Sequence, residues 1–297
     1  MDIDWLHTFL VAAAEENFRR ASEKLHLAQP TVSMHIDKLE QALGVKLFDR
    51  VGRTVRLNRY GRRFLPYAEQ AIASIHSGEQ EIVRFQQGYE QTLTLSVSPL
   101  IATTYLPRWI RAFSQHHENV AFSVQVMESK DIAQHVAQGQ SDVGFSRMPS
   151  DLQRVASTVL YDDPVVAVAP ADAHDLDGPP ETLAELLLRY PLLTHNHPGY
   201  WDDLLLTLRD RYPAVRTLRV SQVHVTVRWI EESMGVSFLP TSTVRRALVL
   251  GSLMEVPLPE WPLPVAHTYL LQDPITMSPI ARTFSAFVQA YMHIRSV

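Results

Sequence analysis

Arg147 follows the apolar run Asp142-Val143-Gly144-Phe145 with only Ser146 between. An arginine at the end of a buried strand can give a carboxylate or phosphate two parallel N–H bonds. It can equally close a salt bridge with Asp142 or Asp151, and both readings stand at this stage. Other strand-like segments end in small polar residues. Ser98, Pro99 and Leu100 follow one such segment and lead through Thr103, whereas Thr194, His195 and Asn196 end another. Gln222 and Val223 open a later helical pattern. Each serine or threonine in these positions also makes an ordinary helix cap. His195, His197 and His224 raise the question of a metal, but no acidic or cysteine ligands stand at metal spacing and none is expected. Phosphate loops, nucleophile elbows and His-Glu-x-x-His patterns are absent too, so no catalytic residues, cofactor or enzyme activity are expected.

A second set of residues suits nucleic acid. Between Lys46 and Arg63 the chain carries six Arg and one Lys against only Asp49. Residues 1–66 hold 11 Lys+Arg and 8 Asp+Glu, net +3, although the whole chain is −5. Basic side chains release counterions when they meet a DNA backbone. The elements to position them can be read upstream. Leu6, Phe9, Leu10 and Ala13 recur at helical spacing, as do Phe18, Ala21 and Leu25 after a capping Asn17. His26-Leu27-Ala28 breaks the pattern, and Gln29-Pro30 restarts a helix with Val32, Ile36, Leu39 and Leu43 on one stripe, stopped by Gly44.

Two short helices so joined make a helix-turn-helix, although packed helices of any α-domain share the stripe. The outer face offers Gln29, Pro30, Thr31, Ser33, Met34 and Lys38, with His35 at its flank. Small polar residues there reach base edges, and Lys38 reaches a phosphate. Val45 to Phe48 and Thr54 to Leu57 read as strands around a turn from Asp49 to Arg53, a wing whose Arg50 and Arg53 suit phosphates or a minor groove.

These residues resemble the LysR-type transcriptional regulators. The likeness rests on Phe18, Ala21, Leu25, Gln29-Pro30, Val32-Ser33, Ile36, Leu39-Glu40, Leu43-Gly44, Leu47-Phe48, Arg50, Arg53, Leu57 and Gly61. It covers about 60 residues closely and the rest more loosely. Ala28 departs from it, standing where the family usually has a capping serine; Asn58-Arg59-Tyr60 departs as well, but Asn58 caps equally well. The resemblance implies double-stranded DNA as partner, a small-molecule effector, and a homodimer or homotetramer.

From Asn58 to about Gly88 one long helix carries Leu65, Ala68, Ile72, Ile75 and Ile82 in a narrow stripe broken by Glu79. The stripe suits either a two-chain seam or packing on its own domain. After Gln91, strands and helices alternate twice over, which argues for two similar lobes built on parallel sheets. The expected fold is α/β: a winged helix-turn-helix (1–58), a dimerising linker helix (59–90) and a two-lobed, periplasmic-binding-protein-like effector domain (91–297). Lobe 1 is expected at 91–161 and 267–297, and lobe 2 at 162–266. Ligands of such folds lie at the carboxyl ends of strands, which singles out the residues named first. No apolar run spans a membrane and no cysteine is present, so a cytoplasmic regulator modulated by an anionic effector is expected, with a ligand-independent DNA binder as the alternative.

Overall fold

The computed structural model describes residues 1–51, 54–171 and 181–295 and divides into two compact units, Met1–Gly88 and Tyr89–Val297. In the first unit, α1 (Ile3–Glu15), α2 (Phe18–Leu25) and α3 (Gln29–Leu43) precede a hairpin of β1 (Phe48–Val51) and β2 (Thr54–Leu57), and α4 (Arg59–Gln86) follows. Phe9, Ala21, Val32, Ile36, Leu39, Leu47, Phe48 and Val55 form its core, with Phe48 edge-on to Phe9 and to Phe18. Burying each large side chain contributes about 1.5–3 kcal/mol.

Caps set the helix ends. Asn17 accepts from the N–H groups of Arg19 and Arg20, and Asn58 from those of Tyr60 and Gly61. Ala28 gives α3 no side-chain cap, and Gly44 ends it at φ 71°. Gly61 admits no side chain, because a Cβ there would stand 2.3 Å from the Leu47 carbonyl oxygen.

The wing corrects the sequence reading. The first strand starts at Phe48 rather than Val45, and Asp49 to Val51 belong to the ladder, pairing Phe48 with Leu57 through Val51 with Thr54. The buried Glu40 carboxylate is the cause. It accepts the N–H groups of Leu47 (2.8 Å) and Phe48 (3.4 Å), drawing Leu47 against α3 instead of into a strand.

Helix α4 divides its apolar stripe. Ala68 is buried in the unit's own core, and Leu65 and Ile72 pack against that core, while Ile75, Ile82 and Phe85 remain exposed.

The second unit opens with β3 (Gln91–Val97), α5 (Pro99–Thr104), α6 (Leu106–Ser114), β4 (Val120–Val126), α7 (Ser129–Ala137) and β5 (Val143–Ser146). The long β6 (Ala156–Pro170) leads to α8 (Leu183–Arg189), β7 (Leu192–Thr194), α9 (Trp201–Arg211), β8 (Thr217–Arg219) and α10 (Val223–Glu231). Then come β9 (Val236–Pro240), α11 (Thr241–Leu250), β10 (Leu253–Val256), β11 (Val265–Gln272) and α12 (Pro279–Arg295). Helices α5 and α6 are separate, because Pro107 in the first turn of α6 cannot donate to the preceding turn.

The sheet order is β4-β3-β5-β11-β6-β9-β7-β8, with β10 on β6. Strands β4, β3 and β5 run parallel in one lobe, and β8, β7 and β9 run parallel in the other. Among the described residues, only β6 and β11 pass between lobes. They pair antiparallel from Val265↔Pro164 to Gln272↔Ala156, with a register shift between Thr268 and Tyr269. The second lobe therefore enters in mid-strand, since Val165–Val168 of β6 already pair with β9. Among the described residues, no helix is long and apolar enough to cross a membrane.

Candidate functional site

On α3, Gln29, Pro30, Met34 and Lys38 are exposed, and Thr31 and Ser33 are half-buried beside them. The solvent face of this helix is thus the polar one, and its inner stripe is spent on the core. His35 turns inward, its Nδ1 2.8 Å from Thr8 Oγ1 on α1. The Lys38 ammonium lies 5.5 Å from the Trp5 ring centroid, a cation–π contact that steers an exposed charge. Lys46 is paired by Asp37 (3.2 Å) and Glu40 (2.6 Å), and Arg56 faces Glu16. Arg53 and the side chain of Arg50 lie outside the described residues.

In the second unit, the strands of both lobes end at a cleft. Arg147, next after β5, is buried at 7% exposure, and both terminal nitrogens of its guanidinium donate to the Asn196 carbonyl of the opposite lobe at 3.3 Å. Its Nε is buried without a partner, and no carboxylate stands within ion-pair distance among the described residues. Neither salt bridge considered from the sequence forms: Asp142 instead accepts the Thr94 N–H at 2.8 Å. Burial lowers the Arg147 pKa from its ordinary value, yet a guanidinium stays charged. Among the described residues, the cleft therefore holds a desolvated cation with no carboxylate at ion-pair distance, Glu128 of the same wall acting on it from farther off.

Two cavities flank Arg147. The first, about 160 Å³, is lined by Leu100, Thr103, Thr104, Gln222, Val223, His224, Val227 and Thr243 as well as Arg147. The second, about 290 Å³, adds Glu128, Ser129, Lys130, His195, Asn196, His197, Pro198, Trp201, Asp202, Arg219 and Ser221 to it. Gln222 Nε2 donates to Glu128 Oε1 at 2.6 Å, a bond from one lobe to the other.

Of the residues nominated from sequence, Leu100, Thr103, Arg147, His195, Asn196, Gln222 and Val223 meet at these walls. Ser98, Pro99, Ser146 and Thr194 are not among the lining residues. Ser146 Oγ is engaged with Met148 N–H and the Ser129 carbonyl, and Thr194 Oγ1 with His195 Nδ1. Ser98 Oγ is buried without a partner.

Glu128, Ser129 and Lys130 went unnominated, although the strand-end rule applied to β4 points straight at them. His197 also lies outside the nominated set. Its Nδ1 accepts the Gly199 N–H at 3.0 Å, and burial, with Arg147 and His267 adding to it, pushes its pKa down to about 2. His197 is consequently neutral and cannot supply positive charge to a ligand. Asn196 is fixed by Ser237 and Trp201, its Oδ1 accepting from Trp201 Nε1 at 2.9 Å. Among the described residues, no group of three or more His, Asp or Glu could hold a metal ion.

A winged helix-turn-helix in one unit and a hinged two-lobed cleft in the other define a ligand-responsive DNA-binding regulator. Comparison with known proteins names the kind. Residues 3–62 match the bacterial regulatory helix-turn-helix protein of the lysR family, and residues 86–293 match the LysR substrate binding domain. The HTH-type transcriptional regulator CitR of Bacillus subtilis is 44% identical over 271 residues, 91% of this chain and 93% of the relative. The HTH-type transcriptional regulator CatR of Pseudomonas putida is 30% identical over 248 residues, covering 82% of this chain and 83% of that one. Full-length CbnR complexed with its target DNA shares the fold at a TM-score of 0.76 and 19% identity, covering 98% of this chain and 99% of that one. The chain belongs to the LysR family of transcriptional regulators: it binds DNA and carries that family's effector-binding domain.

Proposed function

We propose that this regulator responds to a small anionic effector held at Arg147, acts by binding without catalysis or a cofactor, and assembles through α4. The observation that carries the effector reading is the buried guanidinium, which lines both cavities and has no carboxylate beside it among the described residues. A desolvated charge costs several kcal/mol unless paired, so an anion entering the cleft gains what the protein alone leaves unsatisfied. Because Arg147 donates to Asn196 across the cleft and Gln222 to Glu128, a ligand at this place touches the bonds that join the lobes. Binding there favours one arrangement of the lobes over another, and that bias is the signal.

Assembly is supported by Ile75, Ile82 and Phe85, spaced 7 and 3 along α4 and exposed at 43%, 61% and 69%. An apolar stripe of that kind suits a matching helix of a second chain, giving a dimer and, by pairing dimers, a tetramer. Thr31, Ser33 and Lys38 on α3 are the residues proposed to face DNA.

Isothermal titration of full-length protein with small carboxylic acids tests the effector reading. Arg147→Ala should weaken the binding acid by about 10- to 100-fold, the worth of a charge-assisted hydrogen bond, and leave effector-free DNA affinity intact. Unchanged acid affinity in the variant removes the reading.

A further inference from the structure

We infer that the effector carries two acid groups, the second held between Lys130 of one lobe and Arg219 of the other; this rests on the anionic reading of Arg147. Three cations line the larger cavity. Arg147 forms its interior wall, while Lys130 in the first turn of α7 and Arg219 at the end of β8 are exposed on opposite lobes. Neither Lys130 nor Arg219 has a carboxylate within ion-pair distance among the described residues. The two acidic side chains of the same wall are otherwise placed. Glu128 accepts from Gln222, and Asp202, 97% exposed, stands 3.8 Å from His195 Nε2.

Helix α7 begins here without a side-chain cap, so its first N–H groups also favour negative charge. That end is locked to the arginine: Ser129 Oγ accepts the Arg147 backbone N–H at 3.2 Å. With Arg147 buried, its Nε unpartnered, and its guanidinium on the same wall, the cavity presents an inner cationic point and an outer cationic pair. A single carboxylate satisfies the first and leaves the second empty. A small diacid satisfies both. At about 290 Å³ the cavity sits at the small end of ligand sites, in keeping with a short linear acid. Because Lys130 and Arg219 belong to different lobes and line one cavity, an outer acid group held by both bridges the lobes.

Thermal shift and titration calorimetry on the full-length chain test this with matched acids. The diacids run from malonate to adipate, each beside the monoacid of equal carbon number. Wild type should bind at least one diacid about tenfold or more tightly than its monoacid partner. Lys130→Gln/Arg219→Gln, at two exposed positions outside the core, should erase that preference, so that each diacid binds no more tightly than its monoacid partner. Arg147→Gln should weaken both acids. Equal binding of mono- and diacids, lost together in Arg147→Gln, overturns the second subsite and keeps the anionic reading. A diacid preference that survives the double substitution also overturns the assignment to Lys130 and Arg219. Absence of binding by every acid overturns the second subsite and the anionic reading together.

Discussion

The basic residues of the first unit and Arg147 of the second are held in opposite ways. In the first, Arg20 and Lys24 share Glu15, Lys46 sits between Asp37 and Glu40, and Arg56 faces Glu16, the basic side chains being well exposed. Where both partners are exposed, as in Arg56 with Glu16 and Lys46 with Asp37, such pairs are worth roughly 0–1 kcal/mol each, so a DNA phosphate replaces the carboxylate at little cost. In the second unit, Arg147 is buried with no carboxylate at ion-pair distance among the described residues, Glu128 acting on it only from farther off. Salt competes with binding at the first surface, whereas at the second a ligand is matched by shape and hydrogen bonds before bulk ions count. On the reading proposed above, the same residue type serves a diffuse, salt-sensitive contact in one place and a selective one in the other.

The contrast breaks most visibly at the two buried charges. Glu40→Ala strands the N–H groups of Leu47 and Phe48 at the foot of the wing and should cost roughly 2–4 kcal/mol, read by chemical denaturation of the full-length protein. Arg147→Met should move the ligand-free effector unit the other way, from neutral to roughly 2 kcal/mol more stable, because it removes an unpaired desolvated charge. Loss of stability in the methionine variant would mean that its two bonds to Asn196 outweigh that charge.

Acid sharpens the comparison next. His197 is held neutral, with its folded pKa at about 2 below an ordinary value near 6.5. Its contribution is therefore complete above about pH 6.5 and declines as pH falls, by roughly 1.4 kcal/mol for each unit below that point. Melting curves between pH 7.5 and 5 should show the decline in the effector unit, and His197→Gln should flatten it. The smallest effect belongs to Lys38→Ala. It should weaken binding to all DNA sequences alike and reduce the slope of log affinity against log salt by about one. A lost sequence preference with an unchanged slope would assign Lys38 to the bases instead.

Periodicity carried most of the fold into view. The inner stripe of α3 and the double run of strands and helices after Gln91 are both written in residue spacing. What stayed hidden depends on single polar side chains or on long-range pairing. Nothing local to Val45–Leu47 announces that Glu40 will take its amides, so those apolar residues read as strand. The continuity of β6 depends on partners that lie as far away as β11 and β9. At the cleft, strand ends led to Arg147, His195, Asn196 and Gln222. They also led to Ser98, Ser146 and Thr194, whose small side chains are buried behind the cavity walls. Lys130 and Arg219 read as ordinary surface charge, and only the folded cavity gives them a common object.

The neighbouring strands β6 and β11 make the connection between lobes a ribbon rather than a pair of separate tethers. Paired strands resist stretching and sliding because every hydrogen bond of the ladder opposes those motions together. Twist is what a β-ribbon absorbs readily, and an irregularity such as that between Thr268 and Tyr269 concentrates it. A rotation about the ribbon's long axis is therefore the motion that its ladder opposes least. On the reading proposed above, an effector gripping both lobes would apply a torque about that axis, and a few degrees there would become a displacement of ångströms at the far ends of the lobes, as at the tip of a lever.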